Sequence, residues 1–309
     1  MPLPWALNSV NAFLFRQSNG YLLLDAGLKT DESLASLEAA LDSLNLDWLA
    51  ITRILISHMH PDHIGAAAEV RRRSGAPIQM HPDEAHMVKP REPDHKFFEF
   101  AEPHMREHGV PDPDIDAMKK EAGNISDSME RLVPDESIKG GDTIEFVGGT
   151  LKTIMAPGHS PALMCFHCPE QRMLFSTDAI LERTTPNIGV HWFYQGNPLG
   201  EYLNSLRTLE LLDVDKVVPS HGRPFEGHRE WIAGVRKHHR KRCGQVLDVV
   251  KDRALPAYDI AGAIWGENRS AGTRRFAMAE GLSHLEYMSR EGRVEQQSQN
   301  GVTLWKAIE

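Results

Sequence analysis

The sequence predicts an α/β protein in two parts: a large domain over residues 1–225, interrupted by a helical insertion at about 82–134, and a small winged-helix-like domain over 226–309. Three observations lead there. Apolar, strand-like runs alternate with amphipathic helical stretches up to Met80, the pattern of an α/β sheet. A polar, proline-broken stretch then replaces the alternation. Beyond Pro224, three helical segments precede a terminal hairpin, the order of a winged helix.

Taken in order, "VNAFLFRQSNGYLLLDAGL" predicts two strands around a Ser-Asn-Gly turn. "DESLASLEAALDSLNL" predicts a helix capped by Asp31 or Ser33, with Leu34, Leu37, Leu41 and Leu44 on one face. "ITRILI" is a buried strand, "IGAAAEVRRRSG" a helix closed by Gly75, and "APIQM" a short strand. The insertion carries His81, His86, His95, His104 and His108 at irregular spacings, which solvated helix faces explain. Strands return over 138–180, with glycines at the turns. "PLGEYLNSLRTLELL" is a helix and "KVVPS" a strand ending at His221. The tail closes on an Asn-Gly hairpin, "RVEQQSQNGVTLWKAI".

Bulk properties narrow the class. A net charge of -9 argues against a protein that coats nucleic acid or an anionic membrane with its whole surface. No apolar run approaches the roughly 20 residues of a membrane span, and "MPLPWALNSV" lacks the features of a secretory signal, so a cytoplasmic location is expected. Three cysteines cannot pair completely, which suits a reducing compartment. The "CFHC" pair, Cys165 and Cys168, has no second pair to complete a four-ligand site and reads as part of a strand hairpin.

The chemistry concentrates in "SHMHPDHIG", Ser57 to Gly65, at the end of "ITRILI". In an extended segment, residues two apart point the same way, so His58 and His60 can address one point, while Asp62 and His63 open the next helix toward a second. Imidazoles and carboxylates suit zinc, iron or manganese, and an exposed polar turn is the competing explanation. Three further residues favour the metal. His159 in "APGHSP", Asp178 in "FSTDAI" and His221 in "VVPSHG" each follow an apolar segment, and several strand ends delivering ligands to one sheet edge is how an α/β scaffold builds a site.

In this order, from about residue 8 to 225, these motifs resemble the metallo-β-lactamase fold superfamily. The resemblance implies an αββα sandwich with two divalent cations on one edge, Zn2+ first and Fe or Mn as alternatives. It assigns His58, His60 and His159 to the first metal, Asp62, His63 and His221 to the second, and Asp178 to a bridge between them. Asp25 and Gly27 of "LLLDAGL" match the superfamily's Asp-x-Gly and imply a supporting role. The winged-helix-like tail resembles the subgroup of the mitochondrial β-lactamase-like endoribonuclease, whose bacterial relatives are described as glyoxalase II-type hydrolases. The terminal hairpin departs from classical glyoxalase II.

A metal pair can share a bridging hydroxide at neutral pH, which makes hydrolysis the expected reaction, with Asp62 among its catalytic groups. Thiolates, with a pKa near 8.5, leave without an acid, so a thioester or another activated ester or lactone fits more easily than an amide. His191 and Tyr194 in "GVHWFYQGNP" are candidates to reach an intermediate's oxygen and to contact substrate, although for either one alone an ordinary aromatic packing loop is the stronger explanation. Arg236 and Arg240, in the basic helix after His221, suit an anionic handle such as that of coenzyme A, or else form a solvated face. The expected partner is a small acyl substrate, acyl-CoA or acyl-glutathione in type; nucleic acid is less favoured, no membrane is expected, and a homodimer is compatible. A metal-dependent ribonuclease and a mononuclear iron persulfide dioxygenase are the alternatives.

Overall fold

The computed structural model describes residues 1–5, 7–88, 97–122, 130 and 132–308. His95 and parts of the insertion lie outside the described residues. The chain divides into two interleaved compact units. One comprises Met1–Pro90, Ile125–Pro186 and Ser205–Glu230, the other Arg91–Asn124, Asn187–Asn204 and Trp231–Glu309. Segments from the insertion and from the loop after Pro186 thus group with the C-terminal part, where a cut at residue 225 would separate them.

The first unit holds two five-stranded sheets. In one, β1 (Phe13–Gln17) pairs antiparallel with β2 (Gly20–Leu24), and β3 (Ile51–Ile56), β4 (Ile78–Met80) and β5 (Glu136–Ser137) follow in parallel. In the other the order is β10 (Lys216–Pro219), β9 (Met173–Thr177), β8 (Met164–Cys168), β7 (Gly149–Met155) and β6 (Thr143–Phe146), with β10 and β9 parallel. The period-two pattern of a strand decides which face each leucine buries. Leu22 and Leu24 of β2 and Leu55 of β3 join Leu151, Phe166, Phe175 and Val218 of the second sheet, forming the sandwich interior. Leu23, Ile54 and Ile56 point the other way, onto Leu37 and Leu41 of α1 (Asp31–Ser43) and Ala67 and Val70 of α3 (Ala67–Ser74).

Local readings hold with adjustments. Gln17 pairs with Gly20, so Ser18 and Asn19 make the hairpin turn, and Gly75 closes α3 in the left-handed conformation at φ 74°. The cap of α1 is Thr30, whose hydroxyl accepts from the Ser33 amide, and not Asp31 or Ser33, which lie inside the helix. Leu44 falls past its end and is exposed. Cys165 is buried, donates to the Ser176 carbonyl, and burial pushes its thiol up to about 12. The hairpin reading of "CFHC" is therefore the one the strands realise.

The second unit contains α5 (Phe97–Glu107), α6 (Asp112–Ala122), α9 (Ala257–Trp265), α10 (Ala271–Arg290) and most of α8 (His228–Val250). A three-stranded sheet, β11 (Leu255–Pro256), β13 (Val302–Ala307) and β12 (Val294–Gln299), completes it. The β12–β13 hairpin turns at Asn300-Gly301 as expected, and β11 adds a strand too short for its sequence to betray. Met105, Ile115, Val246, Ile260, Leu285 and Trp305 are among the residues of one shared core.

Two of the buried histidines in this unit, His239 and His284, form a pair. His284 Nδ1 donates to the Glu280 carbonyl, so its Nε2 accepts from His239 Nδ1 at 3.1 Å, and both rings are neutral. Burial lowers His239 to about 3 and His284 to about 4. A histidine freed by unfolding titrates near 6.5, so this neutral pair contributes stability that is complete above about pH 6.5 and is lost as pH falls toward 3–4. Acid melting should show a slope of up to about 1.4 kcal/mol per pH unit for each histidine, and His284→Gln should make the slope shallower.

Candidate metal centre

The ligand candidates stand in the segments that follow strands of the first unit, Asp62 and His63 within the short helix after β3. Beyond β3 the chain bends at His58 and Met59, and His60, which Pro61 keeps out of the helical region at ψ 145°, leads into α2 (Pro61–Ile64), opened by Pro61. The two rings meet, His58 Nε2 lying 2.9 Å from His60 Nδ1. His159 follows β7, Asp178 directly follows β9, and His221 follows β10. Thr177, just before Asp178, is held at φ 47°, a genuine outlier for a β-branched residue, and such strain concentrates at functional sites. Its hydroxyl donates to the Met164 carbonyl, and its own carbonyl accepts from the Ser220 amide, next to His221.

All seven residues converge in two groups. One ligand atom from each of His58, His60, His159 and Asp178 lies within 4.8 Å of the others, and the same holds for Asp62, His63 and His221. Asp178 faces both. Its Oδ2 is 3.4 Å from His159 Nε2, and its Oδ1 is 3.4 Å from His63 Nε2 and 3.5 Å from His221 Nε2. Asp62 Oδ2 lies 3.3 Å from His221 Nε2.

The electrostatics follow from this crowding. Burial opposes the charge on Asp178, but the surrounding imidazoles, His63 foremost, hold its carboxyl well below the usual carboxylate range. Burial opposes a charge on His63 too, yet Asp178, Asp62 and Asp25 raise it well above the ordinary value. His221 is raised to about 10 against its burial by Asp178 and Asp62. His60, buried and beside His159, falls to about 3, and burial keeps His58 neutral as well.

A second layer aims these rings. The Asp25 carboxylate is buried and accepts from the Ser57 amide through Oδ1, and from the Ser57 hydroxyl and His63 Nδ1 through Oδ2, at 2.7–2.8 Å. Since Ser57 spends its proton on Asp25, its oxygen accepts from His58 Nδ1 at 3.0 Å. His221 Nδ1 donates to the Ser9 carbonyl at 2.7 Å. In each ring Nδ1 is committed and Nε2 is turned to the centre, the arrangement typical of metal-binding histidines. Asp25 itself sits at φ 59°, a conformation that only a specific fold requirement sustains in a non-glycine residue.

The residues fit a pair of divalent ions. His63 Nε2, His221 Nε2 and Asp178 Oδ1 are buried without a hydrogen-bond partner, a state that costs about 1–3 kcal/mol per group unless a cation satisfies them. Nitrogen and carboxylate donors in this proportion suit borderline and hard divalent metals.

A family model described as the metallo-beta-lactamase superfamily matches residues 5–221. The chain belongs to the metallo-beta-lactamase superfamily. This chain is a metal-dependent hydrolase of that fold. It is 22% identical to an atrochrysone carboxyl ACP thioesterase of Passalora fulva, over 98% of this chain and 78% of that protein. It is 26% identical to the probable metallo-hydrolase YqjP of Bacillus subtilis, over 84% and 82%. Among solved structures, the metallo-beta-lactamase family protein TTHA1429 of Thermus thermophilus superposes with a TM-score of 0.86 at 26% identity, covering 100% of this chain and 97% of that one.

The remaining candidates lie in the second unit. His191 and Tyr194 exchange backbone hydrogen bonds across a tight turn. His191 lines a recess with His104, Trp192, Phe193 and Arg275, and the Tyr194 hydroxyl donates to Glu201. Arg240 is exposed and Arg236 half-buried on α8. The insertion histidines are not all on solvated faces: His81 and His108 are buried. His104, Glu107 and His108 also bring one ligand atom each within 4.8 Å of one another at the end of α5. Sequence reasoning missed Glu84, which is wholly buried in α4 (Pro82–Val88).

Removing the Asp25 carboxylate should loosen both ligand groups together. Asp25→Ala is expected to cost about 3 kcal/mol of folding stability and to weaken zinc binding about 10–100-fold, read by thermal melting and by chelator competition.

Proposed function

We propose that this chain hydrolyses thioesters, or closely related activated esters and lactones, at a dinuclear centre. The observation that carries the reading is the Asp178 carboxylate, which presents one oxygen to His159 and the other to His63 and His221. A carboxylate shared between two ligand groups is the arrangement that holds two cations side by side. His58, His60 and His159 would hold one ion, Asp62, His63 and His221 the other, and Asp178 both. When bound, such ions lower the pKa of a water to about 7 and polarise an acyl carbonyl.

The chain's own residues supply the rest. The committed Nδ1 atoms of His58, His63 and His221 fix each ring, so that no reorientation is needed during turnover. The ligand carboxylates are held ionised and so are not disposed to give a proton to a leaving group. A thiolate leaves unaided and an amine does not, which supports the thioester. The likeness to a protein named as a thioesterase points the same way. The second ligand group favours this reading over a mononuclear iron oxygenase. Arg236, Arg240 and His191 enter the reading as substrate contacts, Arg236 and Arg240 toward an anionic handle. The Tyr194 proton is committed to Glu201, so Tyr194 shapes its loop here and is not a donor.

With zinc-loaded protein and a panel of acyl-CoA and acyl-glutathione thioesters, free thiol should appear with time and stop on chelation. Asp178→Asn should lower kcat/KM by at least about 100-fold, roughly 2.7 kcal/mol of transition-state stabilisation. Thiol release unaffected by chelation, or parental rates in Asp178→Asn, would refute the reading.

A further inference from the structure

We infer that Glu84 is a positioning residue that sets the spacing of the first ligand group by bracing two loops against each other. The inference rests on the metal-centre reading above and extends it to a residue outside the ligand set.

Glu84 is 0% exposed, in the first turn of α4, directly after β4. Its two oxygens serve different loops. Oε2 accepts from the amide of Met59, the residue between His58 and His60, at 2.9 Å. Oε1 accepts from the Ser160 hydroxyl at 2.6 Å and the Ala162 amide at 2.7 Å, just after His159. All three imidazoles of the group thus sit one residue from a donor that this carboxylate holds.

A carboxylate suits this place because both its oxygens accept. Glutamine has the same size and one acceptor oxygen, while its other end is an amide donor. In Glu84→Gln that NH2 must face either the Met59 N–H or the Ser160 and Ala162 donors, and one loop is released. Aspartate keeps both acceptors and is one methylene shorter, so it cannot reach both loops at once. Burying an acid here is otherwise unfavourable, and solvent exposure at a helix start would be its ordinary place.

The test uses the full chain, stripped of metal and titrated with Co2+ and Zn2+ under chelator competition, with absorption spectra recorded for cobalt. Glu84→Gln should weaken one of the two binding events about 10–100-fold and change the cobalt spectrum, with the other event near the parental value. Glu84→Asp should fall between. Leu41→Ala, a core truncation in α1 remote from the ligands in sequence, serves as the stability control; it should lower the melting temperature of the metal-free protein while keeping parental affinities and spectrum. The inference is overturned if Glu84→Gln binds both ions with parental affinity and spectrum. It is equally overturned if Leu41→Ala, matched in metal-free stability, loses affinity to the same degree. A parent that binds both ions but releases no thiol would sink the thioesterase reading alone, whereas a parent that binds none would sink the centre and this brace together.

Discussion

The constraint on which the rest of the structure depends is the packing of imidazoles and carboxylates around Asp178 with too few mutual hydrogen bonds to satisfy them. Taking such groups out of water costs several kcal/mol for each charge, and their attraction for one another repays that only in good geometry. Here the geometry among them is poor, with separations of 3.3–3.5 Å and lone pairs left over. A cation pair turns the same arrangement from a cost into a binding site. The protein holds the groups in place regardless, and the surrounding structure explains how.

Two carboxylates outside the ligand set do much of this. Asp25 ties the end of β3 to α2, so that Ser57, His58 and His63 respond to one anchor. Glu84 ties the His58–His60 segment to the loop of His159. The Ser9 carbonyl orients His221 from a third direction. Each of these contacts joins residues far apart in the chain, and each is buried or nearly so. Rigidity at the centre therefore derives from the two packed sheets, whose strand ends the loops extend.

The ligands themselves were legible because their signal is local. His58 and His60 stand two residues apart between an apolar strand and a proline, and His159, Asp178 and His221 each follow an apolar run. The sheet faces were legible too, since Leu22, Leu23 and Leu24 alternate with a period of two. The supporting groups were harder to see. An acid such as Glu84 in the first turn of a helix reads as an ordinary favourable charge near the helix dipole, and nothing nearby in sequence announces its burial. His81 and His108 read as solvated for the same reason. Thr30, Asp31 and Ser33 all offer a capping oxygen within four residues, and only backbone conformation makes Thr30 the cap of α1.

By itself the sequence determined the α/β class and the hairpins at Ser18-Asn19 and Asn300-Gly301, because those properties follow from spacing along one strand or turn, and its motifs, through their resemblance to a family, singled out seven candidate ligands. Only the tertiary structure decided that Asp178 faces both ligand groups, that Tyr194 gives its proton to Glu201, and that a buried Glu84 joins two loops. These depend on distances between segments that the chain brings together from far apart, and no local pattern encodes such distances.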